Sequence, residues 1–577
     1  MQAYDIYKEW LLNPYFDEET KAELRAIEHD TKEIEDRFFQ DLAFGTGGLR
    51  GVLGAGTNRM NIYVVRRATQ GLANYILSLG PCFASRGVVI AFDSRHLSPE
   101  FAQEAACVLA SSGIKVYLYR NLRPVPQLSF SVRHLHACAG IMITASHNPA
   151  EYNGYKVYWE DGAQIANEQA KAIMAAIDKV PGYDSVGVCS LSEGGDQGLI
   201  IWLDEKIDGA FYSAVLQQSI RVNEIRTIAE NYPIVYTPLH GTGNLPVRHV
   251  LRELGFKTIH VVPEQELPDP LFSTVTSPNP EDPKAFALAL QLAEQTHAQL
   301  IIATDPDCDR VGVMVRNMEG QFTMLTGNQT GALLTNYILQ ALQEVGKLPN
   351  KGLLITTIVT GDLGPRIAKE MGVATVKTLT GFKYIGEKIK EFEQTGEYNY
   401  LFGYEESYGY LAGTHARDKD GVVAAMLVCE MAAYYAKQGK SLYEVLQNLY
   451  NQYGCYLEAT HSITLKGKRG MEQIALIMDT LRKNTPQQVA GLPVWRSEDY
   501  LRSVAVEADE NHPILLPKEN VIKLILQNQA WVCVRPSGTE PKLKIYVGVI
   551  GDCNDQAEER LKIVLSYVIK HIEQMNS

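Results

Sequence analysis

Ala139-Gly140-Ile141-Met142-Ile143-Thr144-Ala145-Ser146-His147-Asn148-Pro149 joins an unbroken apolar run to a short polar turn. Its first five residues read as a buried strand, and the hydroxyl of Ser146 falls on the turn just past the strand end. Layered α/β proteins place their chemistry at that point. Asn148-Pro149 then forces a change of direction, because proline fixes its own φ and pushes the residue before it out of the helical region. A serine on a rigid turn beside His147 suits a residue that carries a group.

The same grammar recurs along the chain. Val88 to Phe92 runs into Asp93-Ser94-Arg95, and Ser98-Pro99-Glu100 opens a helical stretch of about a dozen residues. Further strand-then-turn units stand at Ile234 to Thr237, Leu300 to Thr304 and Leu353 to Thr357. This rhythm predicts related α/β units with mixed or parallel sheets. The first forty residues read as charged helices. The last hundred or so read as a smaller α+β domain, with strands near Val532 and over Lys544 to Val549 and a closing amphipathic helix from Asn554 to Gln574. The expected division is 1–205, 206–320, 321–450 and 451–577, in keeping with the domain count allowed by 577 residues.

Bulk properties narrow the function classes. A net charge of −13 argues against a general affinity for nucleic acid or an anionic membrane, so an anionic ligand needs a local basic pocket. Nine cysteines without a C-x-x-C pair point to reduced thiols and a cytoplasmic setting rather than a disulfide frame or zinc ribbon. The N-terminus shows no signal-peptide pattern. The longest apolar stretch, Gly421 to Tyr435, is too short to span a bilayer and reads as a buried helix.

Asp305-Pro306-Asp307-Cys308-Asp309-Arg310 sets three carboxylates at alternate positions after a buried strand. Hard oxygen ligands on a short loop suit Mg²⁺, which accepts its remaining ligands from phosphate or water. A calcium EF-hand would need glycine and glutamate where Arg310 and Arg316 stand. Packing three like charges without a cation would cost stability. Arg535-Pro536-Ser537-Gly538-Thr539-Glu540 follows another strand. Its guanidinium fork, hydroxyls and glycine make a phosphate cradle, with a polar hairpin turn as the plainer alternative. Gly403-Tyr404-Glu405-Glu406-Ser407-Tyr408-Gly409 brackets two carboxylates with glycine, acceptors that suit sugar hydroxyls. His415-Ala416-Arg417-Asp418-Lys419-Asp420-Gly421 is rich in cations that could meet a second phosphate or act as an acid, and Asp420 sits where a helix N-cap belongs. Lys156 is a candidate proton donor or phosphate contact, and Arg50, on the loop Phe44 to Gly51, could face a phosphate on Ser146. No P-loop and no G-x-S-x-G occurs.

These four ordered loops resemble the α-D-phosphohexomutase superfamily, the phosphoglucomutase and phosphomannomutase enzymes, over nearly the whole chain. The resemblance implies four domains around a central cleft, three related α/β domains and a C-terminal domain that closes over substrate. It makes Ser146 the phosphoserine and, with Asp305, Asp307 and Asp309, a ligand of Mg²⁺; Glu405 and Ser407 read the sugar. Arg535, Ser537, Gly538 and Thr539 hold the non-transferred phosphate, and His147, Lys156 and Lys419 take proton-transfer or substrate-contact roles. Gly381-Phe382-Lys383 is similar to the family loop that orients the sugar. The Glu-Glu-Ser core and the later R-x-K-D-G resemble glucose-type enzymes, on the branch that also holds phosphopentomutases and glucose-1,6-bisphosphate synthases.

The reaction so implied interconverts glucose 1-phosphate and glucose 6-phosphate, primed by glucose 1,6-bisphosphate, in a monomer or homodimer without nucleic-acid or membrane partners. Ribose and mannose phosphates are the alternative substrates. A haloacid-dehalogenase-type phosphatase is the nearest rival, since Asp305-x-Asp307 echoes its aspartate pair, but Asp309 stands where threonine or valine belongs. A bisphosphate synthase and a non-catalytic sugar-phosphate sensor are the others.

Overall fold

The computed structural model describes residues 3–45, 47–465, 467–508, 510–537 and 542–575. Three helices, Ala3–Leu12, Glu18–Ala26 and Thr31–Phe38, form the N-terminal cap. Asp17 and Asp30 accept the orphan N–H groups at the starts of the second and third. The cap packs Trp10, Phe16 and Phe38 onto Tyr63 of the first α/β domain.

That domain carries a six-stranded sheet in the order Gly48–Val52, Tyr152–Trp159, Ala139–Ile143, Val88–Phe92, Val116–Tyr119, Ile200–Leu203. The last four strands are parallel, and the first two run antiparallel to their neighbours. Val88–Phe92 and Ala139–Ile143 are buried at every residue, which is why both read as continuous apolar runs. The helix Ser98–Ser111 follows, with Pro99 in its first turn.

The second sheet runs Phe322–Leu325, Val311–Arg316, Leu300–Thr304, Ile234–Thr237, Ile259–Val261, so its edge strand Phe322–Leu325 lies beyond residue 320. The third runs Ala374–Thr378, Gly352–Thr357, Asn399–Glu405, Gly409–Ala412. In all three domains a strand with a parallel partner turns back into an antiparallel one. Ser146, the three aspartates and Glu406-Ser407 occupy that same turn, one per domain. The related units expected from the strand rhythm therefore share the placement of their loops.

The helix Gly421–Lys437 is buried along nearly its whole length, and Asp420 caps it by accepting from the N–H groups of Val422 and Val423. The helix Leu442–Tyr453 carries the third domain slightly past residue 450. The terminal domain is an antiparallel sheet running from Cys455–Thr464 to Glu510–Pro513, with the helix Asn554–Met575 packed on the strands Cys455–Thr464 and Lys542–Gly551. All nine cysteines are free thiols. Among the described residues, no helix is long and apolar enough to cross a membrane.

Candidate active site

The first three domains meet through backbone contacts as well as side chains. Val125 N–H donates to the carbonyl of Asp307 at 2.9 Å, tying the first domain to the acidic loop. Val311 N–H donates to the Tyr408 carbonyl at 3.0 Å, and Gly421 N–H to the Cys308 carbonyl at 3.0 Å, tying that loop to the third domain. A Cβ on Gly421 would lie 2.6 Å from the Cys308 oxygen, so only glycine permits this approach.

Ser146 is buried at the junction. Its Oγ donates to Asp305 Oδ2 at 2.9 Å and lies 3.1 Å from His147 Nδ1. Its backbone sits at φ +55°, in the left-handed region, and Cys308 within the acidic loop sits at φ +52°. Non-glycine residues held there cost about 1–3 kcal/mol, and such strain gathers at functional turns. Thr144 Oγ1 accepts from Ser146 N–H at 2.8 Å and donates to Asp307 Oδ2 at 3.3 Å.

Asp305, Asp307 and Asp309 are buried and offer oxygens that all lie within 4.8 Å of one another. Burial and the two neighbouring carboxylates push Asp305 well above the ordinary carboxylate range. Burial works the same way on Asp307, but the Lys156 ammonium at 2.8 Å prevails and holds its carboxyl low. Lys419 pairs with Asp309 at 2.9 Å; burial opposes its charge, yet Asp309 and Asp418 keep its ammonium above the usual lysine value. Arg310 pairs with Glu281. Asp307 Oδ1 and Asp309 Oδ1 remain buried without a hydrogen-bond partner. Converging hard oxygens with unspent acceptor capacity fit a divalent cation.

Burial, reinforced by the Arg310 and Arg50 charges, pushes the pKa of His147 well below the usual histidine range. Arg50 donates to Asn148 Oδ1 at 3.3 Å on the Ser146 turn. Glu405 is buried and accepts from Gly381 N–H at 2.8 Å; burial raises its carboxyl above the ordinary range, opposed by the nearby Lys419 and Arg310 charges. Lys383 donates to Asn167 Oδ1 of the first domain at 2.8 Å, and Ser407 is half-buried beside Glu406.

Arg535 lies on the strand Trp531–Pro536, opposite Lys544 on its neighbour. Its Nε and Nη1 are buried without hydrogen-bond partners. A guanidinium with donors to spare beside a second basic residue suits an anion. Ser537 N–H donates to the Lys542 carbonyl at 2.7 Å, while Gly538 and Thr539 lie outside the described residues. The terminal domain docks on the third through Lys523, whose ammonium donates to the Ile358 carbonyl at 2.6 Å and stands 4.6 Å from the centre of the Trp531 ring.

Two side chains of the 415–421 segment have partners within the protein. Arg417 is fully buried; its guanidinium donates to the carbonyls of Thr414 and Ala416 and pairs with Glu393. His415 pairs with Asp420 at 2.7 Å. Each has an internal partner, while His415 Nδ1 and Arg417 Nε are buried without a hydrogen-bond partner. Residues that sequence reasoning passed over include Glu281, Lys544, and Asp418, which accepts from Tyr158 at 2.8 Å. Arg95 was passed over too, although Asp93-Ser94-Arg95 follows a buried strand just as Ser146 does.

The description "phosphoglucomutase/phosphomannomutase, alpha/beta/alpha domain I" matches residues 41–183; domain II matches 210–320, domain III 326–453, and the C-terminal domain 498–562. The chain belongs to this family. Its relatives include the phosphoglucomutase of Staphylococcus haemolyticus (strain JCSC1435), 40% identical over 91% of this chain and 93% of that protein. That of Staphylococcus epidermidis (strain RP62A) is 38% identical over 96% and 98%. Parafusin (phosphoglucomutase) from Paramecium, in an open form, superposes with a TM-score of 0.66 at 16% identity over 92% of this chain and 94% of that one. A phosphoglucomutase/phosphomannomutase family protein from Burkholderia thailandensis gives 0.63 at 18% over 92% and 97%. At those identities the likeness speaks for the fold alone. Family membership sets the chain among the mutases rather than the dehalogenase-type phosphatases.

Proposed function

We propose that this chain interconverts glucose 1-phosphate and glucose 6-phosphate through phospho-Ser146 and a glucose 1,6-bisphosphate intermediate. The observation that carries the reading is the Ser146 Oγ held 2.9 Å from Asp305 inside a buried acidic trio.

In the first half-reaction the P–O bond to Ser146 Oγ breaks and a new P–O bond forms to the sugar hydroxyl, whose proton leaves. The bisphosphate turns over in the cleft. In the second half-reaction its other phosphate passes to Ser146 Oγ, and the sugar oxygen left behind regains a proton. Transfer of this kind depends on in-line placement and charge neutralisation. Lys156, Lys419, Arg310 and Arg50 supply fixed positive charge around a phosphoserine that is mostly dianionic at neutral pH. His147, 3.1 Å from Oγ, is placed to hold or pass the proton at that oxygen. Glu405 and Ser407 take the sugar hydroxyls, with Gly381 and Lys383 setting the loop beside them. Arg535 and Lys544 hold whichever phosphate is not in transfer, together with Ser537, Gly538 and Thr539.

Asp305, Asp307, Asp309 and the phosphate on Ser146 would hold Mg²⁺, which when bound neutralises the phosphoryl oxygens. Docking of the terminal domain excludes water that would hydrolyse the phosphoenzyme.

The test incubates the protein with glucose 1,6-bisphosphate and maps the added phosphate by mass spectrometry. Turnover of glucose, mannose and ribose 1-phosphates is then compared. Phosphate on Ser146 and the highest kcat/KM for glucose 1-phosphate are expected; an acid-labile aspartyl phosphate would overturn the reading.

A further inference from the structure

We infer that Arg95 is a positioning residue that aims the Ser146 oxygen for transfer by clamping the backbone of the serine turn. This rests on the reading of Ser146 given above. Arg95 stands just past the end of Val88–Phe92, the strand next to Ala139–Ile143, and is 1% exposed. Its guanidinium donates to the carbonyls of Ser146 at 2.7 Å, Pro149 at 2.8 Å and Tyr152 at 3.1 Å, and also to that of Asn148. One side chain thus holds four carbonyls of the turn.

The clamp is itself held from both sides. Asp93 lies 3.4 Å from Arg95 Nε, and its carboxylate is kept in place by Arg95 N–H at 3.0 Å and Ser98 Oγ at 2.8 Å. The face of Phe272, from the second domain, lies 4.9 Å from the guanidinium carbon. Ser277 of that domain donates to the His147 carbonyl at 2.7 Å. Docking of the domain that carries the acidic trio therefore bears directly on the turn that carries the serine.

The consequence for Ser146 follows from its two flanking peptides. Thr144 Oγ1 fixes the N–H side and Arg95 fixes the carbonyl side, so the left-handed backbone is pinned at both ends. The direction of Oγ then varies only through χ1. A flat fork of donors can serve several carbonyls at once; a lysine ammonium at the same place cannot. Displacement of a reacting atom by 1 Å costs about 100-fold in rate. Arg95 is enclosed by the turn, so substrate binding should be insensitive to it.

The test compares Arg95→Met and Arg95→Lys with wild type by steady-state kinetics, thermal unfolding and the extent of Ser146 phosphorylation after priming. Expected for a folded variant is a fall in kcat of about 100-fold with KM within about threefold, partly restored for Arg95→Met by added guanidinium ion. A folded variant of either kind with kcat within about threefold of wild type overturns the inference. So does failure of both variants to fold, which would make the clamp a structural element. Ser146→Ala, assayed in parallel, separates the two readings. Turnover in that variant defeats the assignment of Ser146, whereas turnover in the Arg95 variants beside an inactive Ser146→Ala defeats only the clamp.

Discussion

Ser146 Oγ and Asp305 Oδ2 lie 2.9 Å apart although 159 positions separate them in the chain. The two belong to different domains, each at the turn where a strand with a parallel partner gives way to an antiparallel one. Their meeting makes one polar centre out of two loops that would otherwise be ordinary polar turns.

Removal of the hydroxyl tests that centre most directly. Ser146→Ala should lose more than about 10³-fold in kcat/KM while its unfolding midpoint stays close to wild type. Substantial remaining turnover in the coupled assay would show that another group carries the phosphate.

The acidic trio predicts a metal requirement. Chelation should abolish turnover and Mg²⁺ restore it. Asp309→Asn should raise the Mg²⁺ concentration needed for half-maximal activity at least about tenfold, since one hard ligand is lost. An activation curve unchanged by the substitution would place the metal elsewhere.

Arg535 has two buried donors unspent, so its removal should be felt mainly in substrate binding. For Arg535→Ala we expect KM to rise about 10- to 100-fold, the effect of losing a charge-assisted pair, with little change in unfolding. An unchanged KM would mean that the phosphate binds without it.

Arg417 should behave in the opposite way. Its guanidinium is tied to Thr414, Ala416 and Glu393, so Arg417→Met should cost about 1–3 kcal/mol of stability, from the buried carbonyls left without a donor, and leave KM near wild type in whatever protein folds. A selective rise in KM, with full stability, would return Arg417 to the substrate site.

A pH dependence follows from Glu458, on the first strand of the terminal domain, whose carboxylate lies tight against Gly361 of the third. Burial pushes its carboxyl up to about 7 from an ordinary value of 4.5. A carboxyl raised on folding binds its proton more tightly in the folded chain. Its contribution to stability is therefore full below 4.5 and is lost as pH climbs through 7. Glu458→Gln is neutral at every pH, so its unfolding midpoint should gain on wild type as pH rises from about 5 to 8. A difference that does not vary with pH would show that this carboxyl is not the group that titrates.

Much of this arrangement is legible in single segments. The strand Ala139–Ile143 matches its apolar run, the helix Ser98–Ser111 begins at its start signal, and Asp420 caps the buried helix as its position predicts. The three carboxylates converge as their spacing suggested. The partners of the cations are not legible. Arg417 and Lys419 are two residues apart in an equally charged segment, yet one is sealed against Glu393 and the other pairs with Asp309. Nothing local distinguishes them.

The order of amino acids alone determined the strands, the caps, the turn types and the kinds of donor on each loop, because those depend on neighbours within a few residues. Which loops share one centre, and which charges are spent inside the protein, was decided only by packing. Ion pairs and hydrogen bonds act over a few ångströms, and only the folded chain brings Asp305 to Ser146 or sets Arg95 under its turn.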